Sequence, residues 1–136
     1  MKLKQLIAAY KALGEAKVTK LDASEVLKII KSRKAMRPHA ESYEAFLKDC
    51  QEKLKPEIWP EIEAKAQKWD ELTDSEKKAV NKVLMEYNEK INAATIEELE
   101  KEIEVSVEAL SEESLTKILQ ENNWPVGKLE ELEILL

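Results

Sequence analysis

Few residues in this chain are equipped for chemistry. His39 and Cys50 are its only imidazole and only thiol. Together they would form a base and a nucleophile, the pairing that activates a thiol near neutral pH. They lie 11 residues apart, about 16 Å on a continuous helix rising 1.5 Å per residue, so they cannot meet there. With one His and one Cys, neither a zinc finger nor a His-based catalytic zinc site can be built from one chain. Glu97, Glu98, Glu100, Glu102 and Glu104 could gather a hard cation. They lack the Asp/Asn spacing around a glycine turn that a calcium loop needs, and read as a solvated acidic face. Gly14 and Gly127 stand alone, so no glycine-rich loop can cradle a phosphate. The expectation is a non-enzymatic protein with no catalytic residue, metal ligand, cofactor or small-molecule substrate.

Two groups remain that could bind a macromolecule. The first is the run KSRKAMRPH at residues 31–39, which carries Lys31, Arg33, Lys34 and Arg37. The second is the set of tryptophans, Trp59, Trp69 and Trp124. Tryptophans can stack on bases, but these sit among Glu57, Glu61, Asp70, Glu71 and Glu121, which repel a phosphate backbone. They read better as anchors of a core or an interface.

Charge is unevenly spread. Residues 1–56 hold 13 Lys/Arg against 7 Asp/Glu, and residues 57–136 hold 9 against 21, for a net charge of −6. Such a split implies an outside partner or two halves that attract each other. A charged fraction of 37% with 2 glycines favours exposed helices over an all-β fold. The lone Cys50 allows no internal disulfide, which points to a reducing compartment, the cytoplasm. The basic start MKLKQLIAAYKALGEAK is interrupted by Gln5, Tyr10 and Lys11, so it reads as an amphipathic helix rather than a signal peptide. No stretch approaches the roughly 20 apolar residues that cross a bilayer, and no membrane contact is expected.

The elements that must position these groups are mostly helical. Leu3, Leu6, Tyr10 and Leu13 recur at steps of three and four, with Gly14 as a plausible stop. AKVTKL follows as a connector that could be extended. Asp22-Ala-Ser-Glu25 fits a capping box. Beyond it Val26, Arg33, Ala40, Leu47 and Leu54 form one heptad row, and Ile29, Met36, Tyr43 and Cys50 the other. A seam of period 3.5 over this length predicts packing along another helix. Pro38 lies off the seam and would kink the helix or split it near Arg37. Pro56 ends it. Pro60 opens a helix with Trp59, Ile62, Ala66 and Trp69 on one face. Thr73-Asp-Ser-Glu76 caps another, bearing Val80, Leu84, Tyr87, Ile91 and Ala94.

In the last third, EIEVSVE alternates strictly, with Ile103, Val105 and Val107 on one face. This predicts a half-buried strand over 102–108, although Ile96, Leu99, Ile103, Val107 and Leu110 also fit a helix. Leu110 and Ser111 look like a staple residue and an N-cap for a short helix. KLEELEILL ends as a second strand or a last helical turn. The fold class is therefore mainly α (α+β): a three- to four-helix bundle with a long heptad helix and a small C-terminal β element. One domain is expected over 1–136, with 95–136 as an acidic α/β subregion.

The order of basic helix, Lys-rich connector, long heptad helix, acidic alternating segment and leucine-rich close resembles a family of small phage and prophage proteins of unknown function. LKQLIAAYKAL, EVLKIIKSRKAM with YEAFLKDCQEK, EIEVSVEALSEESLTKIL and KLEELEILL carry the likeness. It implies a phage context and a role in particle assembly, and brings no catalytic residues.

The basic run then has two readings. On the heptad, Lys31 and Lys34 point away from the seam, Arg33 occupies it and Arg37 lies beside it. A half-buried Arg needs an acceptor, so the run is expected to form an electrostatic seam with the chain's acidic half, Arg33 pairing a carboxylate from residues 97–113, or with a second subunit. The chain then acts as an interaction or assembly protein that docks a protein partner and self-associates as a homo-oligomer. The alternative is a nucleic-acid-binding module using the basic helix around residues 28–37.

Overall fold

The computed structural model describes residues 1–136. The chain is mainly α: α1 (Leu3–Glu15), α2 (Ala23–Lys53), α3 (Trp59–Gln67), α4 (Asp74–Glu100), α5 (Glu112–Asn122) and α6 (Val126–Glu130), with 3-10 turns at Trp69–Glu71 and Glu133–Leu135. No helix is long and apolar enough to cross a membrane. The residues divide into two compact units, one of Met1–Tyr43 with Leu99–Leu136 and one of Glu44–Glu98. The C-terminal subregion expected over 95–136 is thus mostly part of the same unit as the N-terminal helices. Both α2 and α4 run across the division.

The first unit is built on the expected apolar rows. Leu3, Leu6, Ala9, Ala12 and Leu13 of α1 are buried with Ile29, Met36 and Ala40 of α2, and with Leu110, Leu115, Ile118, Leu132 and Leu135 from the C-terminal third. Small residues at 9, 12 and 40 let helices approach closely, while Met36 fills the remaining space. Several links are non-local. The Asn122 side chain receives the Lys17 amide at 2.7 Å and donates to the Lys17 carbonyl at 2.9 Å. Its neighbour Asn123 takes the left-handed conformation (φ 52°) that ends α5. The connector 16–22 is thereby tied down by side-chain groups that imitate a backbone partner.

The β element is absent. The alternation itself is in register: Ile103, Val105 and Val107 are half-buried against the core, and Glu102, Glu104, Ser106 and Glu108 are exposed. What is missing is a ladder. Only Met1 and Lys2 run beside this segment, giving one antiparallel bridge between Lys2 and Glu102. Side-chain alternation is a local property, whereas a strand also needs a neighbour. The closing KLEELEILL forms α6 and a 3-10 turn, the helical alternative.

Gly14 does not stop α1 through a left-handed turn. The helix continues to Glu15, and no glycine has a positive φ. Its role is steric: a Cβ there would lie 3.0 Å from an Nη of Arg33. Pro38 sits inside an unbroken α2.

The second unit has a smaller core, with Ile62, Val80 and Thr95 its buried residues. Trp59 packs on Tyr87 with ring centroids 4.6 Å apart, and the Tyr87 hydroxyl donates to the Gln51 carbonyl at 2.9 Å. The Thr73–Glu76 capping box forms as read: the Glu76 amide donates to Thr73 Oγ1 at 3.2 Å, and the Thr73 amide and hydroxyl donate back to Glu76 Oε1 at 3.2 and 3.0 Å. Those donors hold the Glu76 carboxyl below its usual pKa.

Candidate interaction surface

Within the first unit, α2 turns its two faces to different tasks. Ile29, Ser32, Met36 and Ala40 are buried. The seam positions among them pack against the chain's own α1 and C-terminal third. At 100° per residue, the opposite arc of about 120° carries Leu27, Ile30, Lys31, Lys34, Arg37, Pro38 and Glu41. All are exposed. Leu27 and Ile30 keep 50% and 57% of their surface in water, which is high for two apolar side chains one turn apart.

The cations on this arc are uncommitted. Lys31, Lys34 and Arg37 form no ion pair within the chain. Lys28, which the nucleic-acid alternative also used, is half-buried on the flank and pairs with Glu25 at 3.6 Å. The one acid on the arc before Tyr43 is Glu41. Arg37, expected beside the seam, instead joins Lys31 and Lys34 facing out.

Arg33 behaves differently. It is half-buried, with its guanidinium carbon 4.4 Å from the centre of the Tyr10 ring. Its Nε is buried without a hydrogen-bond partner. The expected carboxylate from residues 97–113 is not there. The ring quadrupole of Tyr10 takes its place as the acceptor, which Arg's flat, weakly hydrated head permits. Of the four basic residues in KSRKAMRPH, one is structural and three are available at the surface.

The acidic half is dispersed rather than gathered on α2. Glu100 accepts from Lys2 and Lys4 at 2.7 and 2.6 Å. These ammonium groups bring its carboxyl down to about 2. Glu102 pairs with the N-terminal amine at 3.3 Å, and Glu121 accepts from Thr19 and from the Lys20 amide, which lowers its pKa. So the attraction between basic and acidic halves operates mainly at α1 and the connector.

The three tryptophans are not brought together on one surface. All are half-buried. Trp59 donates to Glu63 at 2.6 Å beside Tyr87, and Trp69 has the Lys77 ammonium 5.6 Å from its ring centre. Trp124 packs on the core of the first unit, with Lys128 at 5.4 Å. Each makes its contacts locally.

Comparison with protein-family models, curated proteins and solved structures finds no match to this chain.

Sequence reasoning missed the exposed pair Leu27 and Ile30. They are one residue off the heptad rows, where an apolar side chain has no intramolecular reason to be. That offset was the available signal.

Proposed function

We propose that the chain is a non-enzymatic docking protein whose outward α2 face receives an acidic, amphipathic segment of a partner protein. The observation that carries this is the mixed chemistry of one helix face. Leu27 and Ile30 offer apolar anchors, and three unpaired cations surround and extend them. An amphipathic helix laid along this face would bury the anchors, while its carboxylates meet Lys31, Lys34 and Arg37. Apolar burial would supply affinity, and the charges would supply orientation and on-rate. The likeness to small phage proteins belongs to the same proposal, as an assembly role.

Nucleic-acid binding is less well supported. A phosphate backbone makes no use of Leu27 or Ile30, and a net charge of −6 opposes it. The test is a pair of titrations on isotope-labelled protein at about 0.15 M salt. One uses a synthetic acidic amphipathic helix, the other a random-sequence DNA duplex. The peptide is expected to shift Leu27, Ile30 and Lys34 resonances, and the shifts should be lost in a K31E/K34E/R37E variant and weakened in I30S. Shifts with the duplex, equal in wild type and I30S, would instead favour the nucleic-acid reading.

A further inference from the structure

The segment after α4 has a second, independent opening. In an extended chain, the N–H and C=O of one residue point to the same side, and successive residues alternate. Ile103 exchanges both its groups with Met1: its amide donates to the Met1 carbonyl at 2.9 Å and its carbonyl accepts from the Met1 amine at 3.3 Å. The Glu108 amide donates to Ser32 Oγ at 3.0 Å. From 102 to 108, where burial alternates, even-numbered residues thus turn toward α2 and odd-numbered residues toward the Met1 side. On that Met1 side Val105 and Val107 have neither amide nor carbonyl bonded within the chain, and on the other side Glu104 and Ser106 are likewise without a main-chain partner. The segment thus carries main-chain groups without partners beside a β-branched row already seated on the core.

We propose that the Val105–Val107 edge receives an added β-strand from another protein, a segment alternating Lys or Arg with β-branched apolar residues. Charge selects this occupant. Glu104 and Glu108 flank the edge on its outward face, both exposed and neither in an ion pair. A second copy pairing antiparallel about Ser106, the one antiparallel register that sets Val105 and Val107 opposite each other, would place Glu104 opposite Glu108, and like charges directly opposite repel. A strand with cations at those outward positions faces both carboxylates, while its apolar residues extend the row of Val105 and Val107. The chain's own basic connector at 16–21 is not free to serve, since Asn122 and Glu121 already hold it.

The experiment uses the full chain and a short acetylated peptide alternating Lys and Val. Amide hydrogen exchange and a binding titration are read together. The expected result is slowed exchange at Val105 and Val107, by about tenfold or more at saturation, with Glu104 and Ser106 unaffected. An E104K/E108K variant, altered only at exposed sites, should bind roughly tenfold more weakly. A peptide N-methylated at alternate residues should not bind, because it cannot complete the ladder. Absence of binding, equal binding of the N-methylated or a scrambled peptide, or protection confined to Glu104 and Ser106 would overturn the proposal. The acidic residues would then serve only to keep the edge unpaired.

Discussion

The contact between Arg33 and Gly14 can be weighed by substituting each residue alone and both together. The Arg33 guanidinium covers the Tyr10 ring at 4.4 Å, and its Nη lies 3.0 Å from where a Gly14 Cβ would stand. Removing the side chain in Arg33→Ala forfeits a partly desolvated cation–π contact and the packing of its stem, about 1–2 kcal/mol. It also relieves the unpaired Nε, which holds the loss at the lower end of the range for a half-buried residue. Arg33→Met keeps the stem and should fall within about 1 kcal/mol of wild type. Gly14→Ala should stabilise α1 by about 0.5 kcal/mol, less than the interior value because the helix ends one residue later. With Arg33 in place, the new methyl displaces the guanidinium and the gain is cancelled. With Arg33→Ala it should appear in full. The predicted coupling is about 0.5–1 kcal/mol, read from urea denaturation of the four proteins at neutral pH. Equal stabilisation by Gly14→Ala in both backgrounds would refute the close packing of Arg33 on α1.

Three further outcomes follow from the same contacts. Glu100 has its folded-state pKa depressed to about 2 by Lys2 and Lys4, and Glu76 and Glu121 shift in the same direction. These groups contribute stability above the ordinary carboxylate range and lose it as pH falls from about 4.5 toward 2; an NMR titration placing the Glu100 midpoint near 4.5 would contradict the lysine clamp, and added salt should raise a depressed midpoint because the pairs are exposed. Asn122→Ala removes both bonds to Lys17 and should cost about 1–2 kcal/mol in denaturation, with the connector 16–22 becoming protease-sensitive. Native-state hydrogen exchange should find the α1 amides near Leu6 and Ala9 the slowest and those of α3 much faster, because the second unit buries so few side chains.

Local signals in the sequence were readable because their physics is local. The Thr73–Glu76 box, the Ser111 cap and the α1 stripe each depend on residues within about three turns, and each is found. The inward position of Arg33 was visible from the heptad. Its acceptor was not, because an aromatic face and a carboxylate satisfy the same pattern. The alternation at 103–107 correctly assigned inside and outside, yet it carried no information on whether a neighbouring strand exists. The boundary between the two units was hidden because the α2 seam runs through it unbroken, with Tyr43 on one side and Leu47 on the other. The proposed docking face is half legible: the heptad turns Lys31 and Lys34 outward, but it sets Arg37 beside the seam and gives no place to Leu27 and Ile30.

The central proposal, that the outward α2 face docks a protein, is tested most directly by site-specific photocrosslinking in the native host. A photoreactive residue at Leu27 or Ile30 should give one discrete protein adduct, with no equivalent adduct from Asn88 in the second unit. The adduct should disappear in the K31E/K34E/R37E background. Adducts of the same protein in equal yield from all three positions, adducts to nucleic acid, or none from Leu27 and Ile30 would contradict it.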